Sequence, residues 1–382
     1  MTKENQYIIS VLVSVLLIYV GHTFAMKGFA NFNEAAQDIV SARVDGIIDR
    51  VSPEVFDQFS PVQSDQVVFS ATITRGARRG EQIIASQQSF MGIGFAIPSE
   101  REVAPGDSIL LVSNYEEEEW FFYGFTRINS VIVLAVLFVL SILLLGGKKG
   151  FNTILSLGLT CAAIFIVFIP SIVSGKNIYI MSMLVCAYTV IMTLAIVVGI
   201  NKKSFIAAAG CLCGILASGI ITLIMDVILR LTGVIDEHSI YLINLPIATS
   251  INLRGVIFAG IIIGAMGAIM DVAMSMASAL WEIRERSKDI TFEEMIRSGL
   301  TIGRDIMGTM ANTLILAYIG SSLAVVLVMS VYTTGSSLLG LFNSERIIVE
   351  ILQALIGSFG ILLTIPLTTL LCAIFYLRDS RK

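Results

Sequence analysis

Gly255 to Trp281 reads GVIFAGIIIGAMGAIMDVAMSMASALW, an apolar run broken near its middle by one carboxylate, Asp271. A membrane span needs about 20 predominantly apolar residues to cross a hydrocarbon core of roughly 30 Å. The run meets that length with Asp271 far from both polar flanks. A charge at such a depth costs roughly 2.5–3.5 kcal/mol on insertion scales. It survives when protonated, when paired, or when turned toward water or protein inside a bundle. Gly260, Gly264, Gly267, Ala268, Asp271, Ser275 and Ser278 recur every three or four residues, so the carboxylate shares a helix face with a stripe of small residues. Such stripes let helices approach closely. The reading therefore predicts that Asp271 faces protein and not lipid.

The rest of the chain agrees with a membrane setting. Its 382 residues are 55% hydrophobic and 14% charged, with mean hydropathy +0.85, against a charged share of about 25% in soluble domains. The net charge of −4 says little, because the charges lie in loops and in one hydrophilic segment. Cys161, Cys186, Cys211, Cys213 and Cys372 all fall in apolar runs and read as small core residues, not as disulfide or metal partners. Hydropathy and breakers predict a polytopic α-helical membrane protein of about eight transmembrane helices. The spans lie near 7–26, 128–146, 151–171, 178–200, 205–230, 255–280, 303–329 and 346–377. The first resembles a signal sequence at Thr23-Phe24-Ala25, but a multi-pass body follows and an uncleaved anchor is the expectation.

One set of short loops carries Lys3, Lys148, Lys149, Lys202, Lys203, Arg284, Arg286, Lys288, Arg297, Arg378, Arg381 and Lys382. The opposite set carries Lys176, Arg254 and Arg346. By the positive-inside rule both termini are cytoplasmic and residues 28–127 lie outside. The expected organisation is an anchor helix at 1–27, an extracytoplasmic β-rich domain at 28–127, and a seven-helix membrane domain at 128–382 with a cytoplasmic amphipathic segment at 282–300. Val40–Val51, Val67–Arg75, Glu81–Gln88 and Val103–Asn114 read as strands separated by Gly76, Arg79-Gly80 and Pro105-Gly106-Asp107. A small barrel of about five strands fits the length. Glu116–Glu119 reads as a solvated acidic edge, and Trp120-Phe121-Phe122-Tyr123 as an interface belt where the chain re-enters lipid.

Asp271 has candidate partners on the next span. Counted from the shared cytoplasmic loop at ~1.5 Å per residue, Asn312 and Thr313 reach its depth, and Ser275 follows it by one turn. These four residues form the expected ion-coupling or transport group. Near the outer surface, Asp226 pairs either with Arg230, one turn away, or with Arg254 across a short loop. Gly210, Gly214, Ser218 and Thr222 make a second small stripe. Residues 231–253, which include Asn244-Leu245-Pro246, read as an interfacial or re-entrant segment, and Pro170 and Pro366 as kinks. There is no Walker loop, no HExxH, no GxSxG and no dinucleotide fingerprint, and Gly92-Ile93-Gly94 is not followed by a helical pattern. No cofactor, metal or nucleic-acid partner is expected, and no enzyme activity.

The string from Gly264 through Asp271 to Trp281-Glu282 resembles the signature of the YibE/F-like family of bacterial membrane proteins. That resemblance covers most of the chain and implies an N-terminal anchor, a β-rich outer domain and a seven-helix body. A local similarity to RND-type permeases, including the SecD/SecF export components, spans roughly sixty residues. There an intramembrane Asp precedes an exit helix with Arg-Glu-Arg and a surface segment like Phe292-Glu293-Glu294-Met295-Ile296. It implies a proton-relay role for Asp271. The combined expectation is an ion-coupled transporter or export-assisting permease in a bacterial plasma membrane. The alternative is a membrane-anchored scaffold or sensor whose outer β domain binds an envelope partner.

Overall fold

The computed structural model describes residues 3–29, 39–51, 54–55, 62–91, 101–114, 119–244, 251–287, 289–332 and 338–378. Gly92–Gly94, Glu116–Glu118 and Leu245-Pro246 lie outside them. The chain divides into two compact units, Asn31–Ser141 and Met1–Ala30 with Ile142–Lys382.

The first unit is a barrel of β1 (Ile39–Val51), β2 (Glu54–Val55), β3 (Val62–Ile73), β4 (Gln82–Met91), β5 (Ser108–Asn114) and β6 (Glu119–Phe125). The sheet runs β1-β5-β6-β4-β3-β2, and a further β1–β3 pairing closes it. β4 and β6 are parallel, and the other pairs are antiparallel. With the two-residue β2 set aside, the long strands follow the spatial order of an OB-fold. Alternation drives it: Val67, Phe69, Ala71 and Ile73 point inward along β3, meeting Ile109, Leu111 and Trp120 in one core. The Pro105-Gly106-Asp107 turn forms as expected, with Gly106 at φ 94 and Asp107 Oδ2 accepting from the Ala104 N–H at 3.0 Å. Trp120-Phe121-Phe122-Tyr123 is not an interface belt. It is the heart of β6, with Trp120 only 6% exposed and the Arg78 guanidinium 5.4 Å from its ring centroid.

The second unit holds α1 (Lys3–Ala25), α2 (Ile128–Ala162, begun in the first unit), a π-helical turn (Ala163–Phe168), α3 (Ile169–Val173), α4 (Ile178–Val197), α5 (Lys202–Leu229), α6 (Glu237–Ile243), α7 (Leu253–Arg286), α8 (Phe292–Ser321), α9 (Leu323–Tyr332), α10 (Leu338–Phe342) and α11 (Glu345–Arg378). Side chains set the helix starts. Asn177, Asn201, Asn252 and Thr291 cap α4, α5, α7 and α8, and the second and fourth close capping boxes with Ser204 and Glu294.

Among the described residues six helices are long and apolar enough to cross a membrane, and the count of eight is not reproduced, for two reasons. The expected spans at 128–146 and 151–171 fall in one apolar run of 46 residues, Ile128–Val173, which Gly147 (φ 52, ψ −127) divides into two helices. A Cβ on Gly150 would strike the Ile142 carbonyl, a closeness that an unbroken helix, at about 12 Å of rise over those residues, does not allow. The expected span at 303–329 is divided between α8, whose polar residues lower its hydropathy, and α9, which has 10 residues. Within 231–253, the described residues form the short helix α6 and its flanks.

Packing centres on α7 and α11. The small stripe of α5 is filled by α11: side chains at Gly210 and Gly214 would collide with the Thr368 and Thr364 hydroxyls, and one at Gly360 with Ser218 and Ile269. Gly299 and Gly303 of α8 receive Thr369 and Ile365 of α11 in the same way. α1 is held by polar contacts across an apolar cleft of about 630 Å³ toward α4. The Tyr188 hydroxyl donates to the Ser14 carbonyl at 3.2 Å, and Ser174 Oγ donates to the Ala25 carbonyl at 2.6 Å. His22 Nδ1 lies 3.0 Å from the Ile166 carbonyl. Pro170, four residues after Ile166, has no N–H to offer that oxygen, and the imidazole N–H of α1 donates to it instead.

Candidate functional site

Asp271 sits eighteen residues from Leu253 and fifteen from Arg286, about 27 and 22 Å along the axis of α7. One face of this helix is core: Ala265, Ile269, Val272, Ala273, Met276, Ala277 and Leu280 are buried. The stripe read from the sequence is the other face. Gly260, Gly264, Gly267, Asp271 and Ser275 are all exposed, and nothing lies within 4 Å of a Cβ built on Gly260 or Gly267. Within one chain, then, the expectation that a neighbouring helix covers Asp271 is not met. No hydrogen bond or ion pair joins its carboxylate to another side chain among the described residues.

α8 supplies the adjoining wall. Beside Gly264 lies the Tyr318 hydroxyl, 2.9 Å from a built Cβ. The two helices run in opposite directions at equal rise, so Asp271, seven residues along α7 from Gly264, lies beside the stretch of α8 that precedes Tyr318. The expected bonds to Asp271 are not made: Asn312 and Thr313 are exposed, and Thr313 Oγ1 donates to the Thr309 carbonyl at 2.8 Å. Arg304, Asp305, Gly308 and Thr309 are exposed on the same helix. The result is a polar face, shared by α7 and α8, on an otherwise apolar bundle.

Sequence reading passed over a polar group at the other end of this face. Ser322 Oγ donates to Glu350 Oε2, and the Gln353 amide, one turn along α11, lies beside Tyr318 against Gly264. Glu350 lies only four residues after Arg346 and three before Gln353, so it lacked the signal that marked Asp271, a carboxylate far from both polar flanks. At the outer surface the geometry selects one of the two expected pairings. Asp226 Oδ2 lies 3.8 Å from Arg254 Nη1, whereas Arg230 ends α5 in a left-handed conformation at φ 52. Beside them Glu345 accepts from the Thr232 and Gly233 N–H groups and from the Thr232 hydroxyl, at 2.6–2.7 Å. It ties the start of α11 to the end of α5. No group of three or more His, Cys, Asp and Glu suited to a metal ion occurs among the described residues.

A family model described as YibE/F-like protein matches residues 134–378. No curated protein matches the chain, and no solved structure does. The local similarity to SecD/SecF finds no support in these comparisons.

Proposed function

The chain belongs to the YibE/F-like family, and on that premise we propose that it is an ion-coupled, most simply proton-coupled, membrane permease with Asp271 as the coupling carboxylate. One observation carries this reading: a carboxylate at mid-span stands on a glycine-lined face beside a polar wall, with no hydrogen bond or ion pair to another side chain among the described residues. An aspartate serving only to pack helices is held by hydrogen bonds across them. An unbonded one at this depth is expensive, and function is the default reading. Asp271 takes up and releases the coupling ion, Ser275 offers a hydroxyl one turn away, and Asn312 and Thr313 provide polar groups across the face. In this reading both termini are cytoplasmic and the barrel lies outside, an orientation that the loop charges support, in a bacterial plasma membrane. The Asp226–Arg254 pair, with Arg230 near it, lines the outer mouth.

The test is proton flux into liposomes reconstituted with the full chain under an imposed pH gradient. Asp271→Asn is expected to abolish flux while inserting normally, and Asp271→Glu to keep part of it. Native flux in Asp271→Asn overturns the proposal. A second reading has its own observation, the OB-type strand order, since such barrels are binding modules. In that case the chain is a membrane-anchored scaffold or sensor for an envelope partner, and Asp271→Asn leaves partner capture by the full chain unchanged.

A further inference from the structure

We infer that two copies of this chain pair in the membrane through the face of α8 that carries Arg304, Asp305 and Gly308. The inference rests on the same polar face as the permease reading, but not on transport. The glycine notches of α5, α8 and α11 described above are filled by side chains of the same chain. Gly260 and Gly267 on α7 and Gly308 on α8 are not, with nothing within 4 Å of a built Cβ. These open notches flank the charged residues Asp271, Arg304 and Asp305. Neither Arg304 nor Asp305 makes an ion pair or hydrogen bond among the described residues.

The arrangement of those two charges identifies the occupant. A helix turns by about 100° per residue, so Gly308 projects between Arg304, about 40° to one side, and Asp305, about 60° to the other. Two α8 helices related by a twofold axis along the membrane normal meet at Gly308. There each residue on one side of the contact faces its counterpart from the other side of the second copy. Arg304 of one copy then meets Asp305 of the second at the same depth, and the pair is made twice. Self-complementarity of this kind is what a twofold interface requires. An unrelated partner would need opposite charges at matching heights. A second copy has them already.

The experiment uses the full chain with its five native cysteines replaced and one cysteine introduced, oxidised in native membranes. Gly308→Cys is expected to give a covalent species of twice the chain mass, while Leu370→Cys, on the exposed face of α11, does not. In the Gly308→Cys background, Arg304→Asp or Asp305→Arg alone is expected to cut the yield several-fold, and the two together to restore it. Three outcomes overturn the inference: no dimer from Gly308→Cys, equal yield from Leu370→Cys, or an adduct with a different protein. Failure of the double exchange to rescue removes the reciprocal pair, and with it the argument for a second copy. A monomer with Asp271-dependent flux would sink this inference and leave the permease standing. A dimer indifferent to Asp271→Asn in flux would do the reverse.

Discussion

His22→Leu removes the imidazole donor 3.0 Å from the Ile166 carbonyl, and the cost follows from what is left behind. Pro170 cannot satisfy that oxygen from within the helix, so the carbonyl loses its imidazole donor at an exposed contact. Interhelical hydrogen bonds in membranes are worth about 0.6 kcal/mol on average and at most about 1.7 kcal/mol. The docking of α1 should weaken by that amount, roughly a 3- to 18-fold change in the docked population. Pro170→Ala returns an N–H four residues from Ile166, so in that background the same His22→Leu change should cost less. The coupling between the two substitutions is therefore about 0.5–1.5 kcal/mol, inside the range that double-mutant cycles resolve for residues in contact. Titration of the four variants with a denaturing detergent, followed by circular dichroism, reads it out. Equal costs of His22→Leu in both backgrounds would refute the account of how α1 is attached.

Trp120→Ala should destabilise the barrel by about 3–5 kcal/mol, because a 6%-exposed indole leaves a cavity. Limited proteolysis of the full chain would then cut within 39–125 at a denaturant concentration that spares the native protein. Gly214→Leu drives a side chain into Thr364 and Ile269, an overpacking worth about 1–3 kcal/mol or more. Gly320→Leu meets nothing within 4 Å and should leave the thermal midpoint within error or raise it. Asp236 is held below the ordinary aspartate value of 3.8 by the Ser239 hydroxyl first and the Ser239 N–H second. Its contribution is complete above that value and fades as pH falls through the lower folded-state value. Hydrogen-exchange protection across 231–243, corrected for the intrinsic pH dependence of amide exchange, should accordingly fall in acid, and Ser239→Ala should remove most of that fall.

How much of this was legible depends on what periodicity can carry. The α5 stripe was readable because Gly210, Gly214, Ser218 and Thr222 share a face, and a face of small residues in a membrane helix calls for a close neighbour; α11 meets it. The stripe of α7 was equally visible, but a helical wheel says which residues face together and not what they face, so its lack of cover within the chain was out of reach. Strands β1, β3, β4 and β5 announced themselves through alternation and Gly turns. β6 did not, because Glu119–Phe125 places consecutive aromatics just ahead of an apolar helix, a pattern shared by strands and interfacial belts. The span expected at 303–329 is not among the helices long and apolar enough by themselves to cross a membrane, for a related reason. Arg304, Asp305, Thr309, Asn312 and Thr313 were read as functional interruptions of a long apolar run, whereas that run is the polar helix α8 followed by the short α9. Among the candidate site residues, depth could be counted from the sequence. Side-chain bonding depends on rotation about the helix axis, and there the expected partners part.

The most direct test of Asp271 as the coupling group is a single titration of reconstituted protein with an apolar carbodiimide, which reacts with protonated carboxyls within membranes. Modification at each acidic residue would be followed by mass spectrometry, and proton flux measured on the same samples. The account predicts that Asp271 is modified ahead of Asp226, Asp305 and Glu350, and that flux falls in step with its modification. Full modification of Asp271 with flux unchanged would contradict it.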